Sequence, residues 1–185
     1  ADDRTEAGAV TTTTFMHTVE CHTSLLGIRQ YAMSAGSRVV AVRADDLCAA
    51  IRPDAADDDN AKRRRPGSCG LLACPAECNF SGNRMDLTFV KSARRKGWAV
   101  LLDAAKFAAT APLNLSSIPA DFAVISFYKM FGFPTGLGAL IIRNDAIHLL
   151  NRTYFGGGTL LAASSFPSPA SSPASSHSSL SSSSS

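Results

Sequence analysis

A chain of 185 residues, 45% of them hydrophobic, is long enough for one domain with a real core. Its net charge of +3 is far below the surplus of a nucleic-acid binder, and no charge-free apolar span is long enough to cross a bilayer. The expectation is therefore a soluble, cytoplasmic protein with neither nucleic acid nor membrane as a partner. Five cysteines, Cys21, Cys48, Cys69, Cys74 and Cys78, form an odd set without small-domain disulfide spacing, which suits a reducing compartment. Cys69, Cys74 and Cys78 lie close together but make no CxxC pair, so no metal site is expected.

In chain order, a threonine-rich run over 11–17 reads as a strand leading to His22. Ser24 then opens a helical pattern (Leu25, Leu26, Ile28, Tyr31, Ala32) that ends near Gly36. Arg38-Val39-Val40-Ala41-Val42 predicts a short strand, and 45–51 a helix. The acidic run over 54–59 and the basic Lys62-Arg63-Arg64-Arg65 after it read as a solvated, flexible loop. Gly70-Leu71-Leu72-Ala73-Cys74 predicts a buried strand that delivers the polar loop 75–82. Residues 85–96 predict a helix with a basic last turn, closed by Gly97. Trp98-Ala99-Val100-Leu101-Leu102 is the next strand, ending at Asp103, and Phe122-Ala123-Val124-Ile125 the one after it. Asn144 is expected to cap a last helix through Leu150. Alternating strands and helices predict an α/β fold with a mostly parallel sheet flanked by helices. The expected division is a domain over 1–163 and a disordered Ser/Pro-rich tail over 164–185.

Three strand ends carry polar residues: Asn79 follows the first, Asp103 the second, Ser126 and Lys129 the third. Ligand sites gather where the strands of such sheets end. Lys129 leaves an apolar run and is followed at once by a glycine-rich stretch, Gly132-Phe133-Pro134-Thr135-Gly136-Leu137-Gly138. A lysine without its charge is a nucleophile for carbonyl cofactors, whereas a solvated loop lysine does nothing of the kind. Asp103 has two readings, a helix cap or a carboxylate that keeps a pyridine nitrogen protonated so that pyridoxal phosphate acts as an electron sink. Lys106 is a rival on chemistry alone but lacks the glycine-rich turn that makes room for a cofactor.

Five blocks in register carry a family resemblance: His22-Thr23-Ser24-Leu25-Leu26-Gly27-Ile28-Arg29, Pro75-Ala76-Glu77-Cys78-Asn79-Phe80-Ser81-Gly82, Leu101-Leu102-Asp103-Ala104-Ala105-Lys106, the stretch from Ser126 to Gly138, and Tyr154-Phe155-Gly156-Gly157-Gly158-Thr159. Together they resemble the amino-terminal domain of the molybdenum cofactor sulfurases, a domain similar to the cysteine desulfurases of the class V, fold-type I pyridoxal-phosphate enzymes. The resemblance implies an incomplete fold-type I large domain with pyridoxal 5'-phosphate as cofactor, L-cysteine as sulfur donor, the molybdenum cofactor as acceptor, and a homodimer. It implies that Lys129 holds the cofactor covalently and moves protons, Asp103 pairs with the ring nitrogen, and His22 stacks on the ring and assists proton transfer. Asn79 would serve the ring hydroxyl side, while Ser126 and the Gly157-Gly158-Thr159 turn would bind the phosphate, with Thr159 offering its hydroxyl. The alternatives for these residues are a histidine bonded to backbone, an Asx turn and plain glycine turns.

Two departures from the general desulfurases, Lys106 in place of a glutamine and Tyr128 in place of a histidine, fit the sulfurase branch. The family's persulfide cysteine belongs on a loop beyond the equivalent of Thr159; no cysteine of this chain stands there, and Cys21 and Cys78 read as packing residues. With an opening of Ala1-Asp2-Asp3-Arg4 in place of an initiating methionine, a fragment is expected. The rival functions are a general cysteine desulfurase or selenocysteine lyase, and a catalytically dead remnant that serves as a binding module.

Overall fold

The structure is a computed structural model that describes residues 13–51, 67–132 and 136–150. The charged loop, the Gly157-Gly158-Thr159 turn and the serine-rich tail lie outside these residues. Six strands form one sheet: β1 (Thr14–Thr18), β2 (Arg38–Val42), β3 (Gly70–Pro75), β4 (Trp98–Asp103), β5 (Phe122–Ser126) and β6 (Gly138–Ile142), in the order β2-β1-β3-β4-β5-β6. The first five run parallel, and β6 returns antiparallel along β5.

The strand pattern explains this burial. Leu72, Cys74, Val100 and Leu102 join one buried cluster with Phe89, Val90 and Ala93, while the alternate residues Ala73, Ala99 and Leu101 join a second with Phe15, Leu25 and Ala146. A period of two thus sends successive side chains to opposite faces, and both faces are covered, as a parallel sheet requires. Leu72, Val100 and Leu102 are wholly inaccessible. The chain winds from β1 outward to β2, then crosses back to β3 and proceeds the other way through β4 and β5. The direction of winding therefore reverses between β1 and β3, and the loops leaving those two strands diverge to leave a crevice at their carboxyl ends.

All four expected helices differ. The pattern opened by Ser24 begins one residue earlier and is interrupted at Gly27, giving α1 (Thr23–Leu26) and α2 (Ile28–Ser34). The 45–51 helix is a 3₁₀ turn (Ala44–Asp46) running into α3 (Leu47–Ala50). The 85–96 helix shrinks to α4 (Phe89–Arg95), because the Met85 N–H is spent on the Ala76 carbonyl (3.0 Å) and the Asp86 carboxylate accepts from the Thr88 N–H (3.0 Å). Its last turn is basic, with Arg94 and Arg95. The last helix is 3₁₀, Asn144–Leu149, with Arg143 rather than Asn144 at the cap position. Here a tertiary tie replaces the side-chain cap: Arg143 grips Asp145 at 2.9 Å, and Asp145 also meets Arg94, which reaches the buried Asp121 at 2.8 Å. Two short helices flank the crevice, α5 (Phe107–Thr110) after β4 and α6 (Phe127–Phe131) after β5.

Candidate active site

The crevice is a cavity of about 440 Å³, lined among others by His22, Asn79, Asp103, Lys106, Ser126 and Lys129. Five of the six residues proposed from the sequence thus meet at one place, and the sixth, Thr159, lies outside the described residues. Each arrives by the same device. His22 follows β1, Asn79 sits in the loop after β3, Asp103 ends β4, and Ser126 ends β5 and opens α6, which carries Lys129. Gly132 (φ +68°) closes α6 after five residues in a conformation that a side chain would strain. Gly138 has its own reason: a Cβ there would lie 2.6 Å from the Ile125 carbonyl oxygen, so glycine lets β6 close on β5 beneath the site.

Lys129 and Lys106 line the same cavity in different states. Lys129 Nζ donates to Asn79 Oδ1 at 2.9 Å, and no carboxylate among the described residues pairs with it. Lys106 Nζ instead contacts Glu77 Oε1 at 3.5 Å and donates to the Cys78 carbonyl at 3.3 Å. Glu77 is buried and fully engaged: Thr110 donates to its Oε2 at 2.6 Å and Arg84 at 3.0 Å. The Thr110 hydrogen bond, reinforced by Arg84 against the opposing effect of burial, holds the Glu77 carboxyl below its ordinary pKa. Arg84 also donates to the Thr110 carbonyl at 3.2 Å and lies over the Phe107 ring. This cluster fastens α5 to the loop that presents Asn79.

Asp103 and His22 line the cavity and also make the local hydrogen bonds of their structural readings. Asp103 lines the cavity while its Oδ1 accepts from the Ala105 N–H at 3.0 Å, a local bond that fixes the carboxylate. His22 is exposed and caps α1, its Nδ1 accepting from the Ser24 N–H at 3.2 Å. Since Nδ1 is the acceptor, the neutral ring carries its proton on Nε2. Ser126 caps α6 without a side-chain bond, and its hydroxyl has no partner among the described residues. Cys21 is a packing residue: it is buried, its thiol is pushed up to about 11 by desolvation, and it donates to the Ala73 carbonyl. Cys78 departs from that expectation. It is half-buried, lines a second cavity and is lowered in pKa by a hydrogen bond from Ser81.

Sequence reasoning missed Glu20, which lines the same cavity and whose Oε2 is buried with no partner among the described residues. The signal was available, an acidic residue just past the end of β1, as Asp103 stands at the end of β4. The partners of Lys106 carried no such signal, since Glu77 and Thr110 are separated by 33 residues. No helix among the described residues is long and apolar enough to cross a membrane, and no group of three or more His, Cys, Asp or Glu among them is placed to hold a metal.

Comparison with known proteins gives this geometry its family. The aminotransferase class-V family profile matches residues 9–172. The chain belongs to that family. Among curated proteins it is similar to the molybdenum cofactor sulfurases of Arabidopsis thaliana (42% identity, covering 80% of this chain and 22% of that one) and Homo sapiens (45%, covering 80% and 17%). It therefore spans about a fifth of the length of these relatives. Among solved structures it shares its fold with the Escherichia coli cysteine desulfurase CsdA (TM-score 0.60, 23% identity, covering 84% of this chain and 37% of that one) and the cystine C-S lyase C-DES (TM-score 0.59, 22%, covering 78% and 39%). The fold is that of the fold-type I large domain, here in part. Membership of the class V family implies pyridoxal phosphate, and the donor set fits it. An amine without a counter-charge, a fixed carboxylate, an imidazole and an unengaged hydroxyl share a cavity whose volume falls in the small-ligand range of roughly 300–1,000 Å³.

Proposed function

We propose that this chain forms the cofactor-binding core of a pyridoxal-phosphate enzyme that transfers the sulfur of L-cysteine to an acceptor cysteine thiolate, leaving alanine and a persulfide on that acceptor, and that the sulfur is destined for the molybdenum cofactor. The observation that carries the reading is the state of Lys129: its amine shares a cavity with Asp103, donates to the neutral Asn79 and pairs with no carboxylate among the described residues, while Lys106 nearby is tied to Glu77. An amine held by a neutral acceptor loses no ion pair when it becomes a nucleophile. The names of the curated relatives support the sulfurase reading over a general desulfurase or a selenocysteine lyase.

Bound pyridoxal phosphate supplies an electron sink that weakens the carbon–sulfur bond of the donor. Lys129 holds the cofactor and moves the proton at the donor's α-carbon. Asp103, oriented by the Ala105 N–H, sets a fixed negative charge against the ring nitrogen. His22, oriented by Ser24, presents its ring to the cofactor and its Nε2 to proton transfer. Asn79 would serve the ring hydroxyl side, and the Ser126 hydroxyl would bind the phosphate. Closure of the phosphate site by the Gly157-Gly158-Thr159 turn, within a homodimer, and a cytoplasmic setting belong to the same proposal.

The test is to incubate the purified chain with pyridoxal phosphate, record the visible spectrum, then reduce with borohydride and map the labelled peptide. A new absorption band and a label on Lys129 are expected. A wild-type chain with no band and no label would overturn the reading in favour of a non-catalytic binding module.

A further inference from the structure

A second cavity, of about 560 Å³, lies beside the first and shares Glu20 and Pro75 with it; Arg43, Asp45, Asp86 and Arg84 line it further. Parallel pairing of β1 with β2 brings its two chief charges to one end of the sheet. Thr18 is the register partner of Val42, the Val19 N–H bonds the Val42 carbonyl at 2.9 Å, and the next residues along the two strands are Glu20 and Arg43. The Ala44 N–H donates to Glu20 Oε1 at 3.4 Å and fixes the carboxylate. Its other oxygen, Oε2, is buried and met by no group among the described residues. A buried acceptor left unmatched is costly and calls for a cause.

Two other charged groups of this cavity are engaged elsewhere. The Arg84 guanidinium is spent on Glu77 and the Thr110 carbonyl, and Asp86 Oδ1 on the Thr88 N–H. Arg43, by contrast, pairs with no carboxylate among the described residues, neither Glu20 nor the exposed Asp45. A carboxylate and a guanidinium that line one cavity without pairing match a ligand that carries both opposite charges itself. The smallest such ligand class is the zwitterionic α-amino acid, and the volume leaves room for a side chain.

We propose that the second cavity receives an amino-acid zwitterion, its ammonium on Glu20 and its carboxylate on Arg43, next to the site of Lys129. As the point of entry for L-cysteine it rests on the function proposed above; as a binding site it stands by itself. The test titrates the full chain, without pyridoxal phosphate, by calorimetry. The probes are L-alanine, which keeps the zwitterion and lacks the thiol, propionate, which lacks the amine, and ethylamine, which lacks the carboxylate. Wild type should bind alanine about tenfold or more tightly than either singly charged probe, the scale of one charge-assisted hydrogen bond. Glu20→Gln should weaken alanine by about tenfold and leave propionate unchanged, and Arg43→Ala should weaken alanine by a similar factor and leave ethylamine unchanged. Asp45→Asn should bind alanine as wild type does.

Equal binding of the three probes by wild type would overturn the proposal without recourse to any variant. So would unchanged alanine binding in both charge variants, or a loss that follows Asp45 in place of Glu20. The spectrum with pyridoxal phosphate reports separately on Lys129. A band without zwitterion selectivity sinks this inference alone, and selectivity without a band sinks the proposed function alone.

Discussion

Two kinds of polar cluster share this small sheet. Around Glu77 and around Asp121 every strong group is answered: Glu77 by Thr110, Arg84 and Lys106, and Asp121 by Arg94 and the Val100 N–H at 2.8 Å each. Around Lys129 the groups are placed but, among the described residues, not matched by opposite charge: an amine on a neutral amide, a hydroxyl with no partner there and a carboxylate held by a single local N–H. Buried charges need partners to be tolerated, so the completed clusters hold the loops in place. The incomplete one is free to meet a ligand. Two lysines in one cavity differ, on this view, by what their neighbours have already claimed.

The sharpest way to break that comparison is to delete each lysine in turn. Lys129→Ala should abolish covalent attachment of pyridoxal phosphate altogether, with no visible band and no label after borohydride. Lys106→Ala should retain both. A label that moves to Lys106, or that persists in Lys129→Ala, would mean the counter-charge of Glu77 does not decide which amine reacts.

Next in size is the structural side. Asp121 is fully buried beneath Arg94, which is itself only 17% exposed, so Asp121→Ala leaves a partly buried cation with only the exposed Asp145 to meet it and strips the Val100 N–H of its acceptor. Loss of one member of such a pair costs about 3–5 kcal/mol, which urea unfolding followed by circular dichroism should resolve. Smaller again is Asp103→Asn, which keeps shape and removes charge. It should weaken retention of pyridoxal phosphate by roughly 10–100-fold, the effect of about 1.5–3 kcal/mol in one charge-assisted bond, while the urea midpoint stays near wild type. A large loss of stability in Asp103→Asn would move that residue to the structural class and erase the distinction.

The sequence makes some of this division legible. Strands with unbroken apolar runs are readable because both faces of a parallel sheet are buried: β2 falls where Arg38-Val39-Val40-Ala41-Val42 places it, and β3, β4 and β5 each extend one residue beyond their runs. β6 is not separately readable. It follows the glycine-rich stretch, but Leu140 and Ile141 are substantially exposed, so no buried run or alternation marks it. The start of α4 is hidden for a different reason, since a long-range bond from Met85 to Ala76 overrides local helical spacing. In the site, residues at strand ends announce themselves, as Asn79, Asp103, Ser126 and Lys129 do. What their neighbours leave unpaired does not, because it depends on contacts such as Thr110 to Glu77 that no spacing encodes.

The smallest effect is a pH dependence confined to the completed side. Glu77 has its carboxyl held below its ordinary value of 4.5, first by the Thr110 hydrogen bond and then by Arg84. A group whose pKa is lower folded than unfolded adds stability that is fully present above the unfolded value and drains away as pH falls through the folded one. Part of that contribution is screened, because Arg84 is 51% exposed. Urea midpoints measured from neutral pH down through this window should therefore fall for wild type and fall less steeply for Glu77→Gln, with the two curves converging in acid. Asp145, held at about 2 by Arg143, titrates lower, so it adds a separate slope at the acid end without mimicking this convergence. A gap between the two curves that stays constant with pH would show that Glu77 acts through packing alone. Its claim on Lys106 would then be no stronger than that of the Cys78 carbonyl, and the contrast between the two lysines would have to rest on position rather than charge.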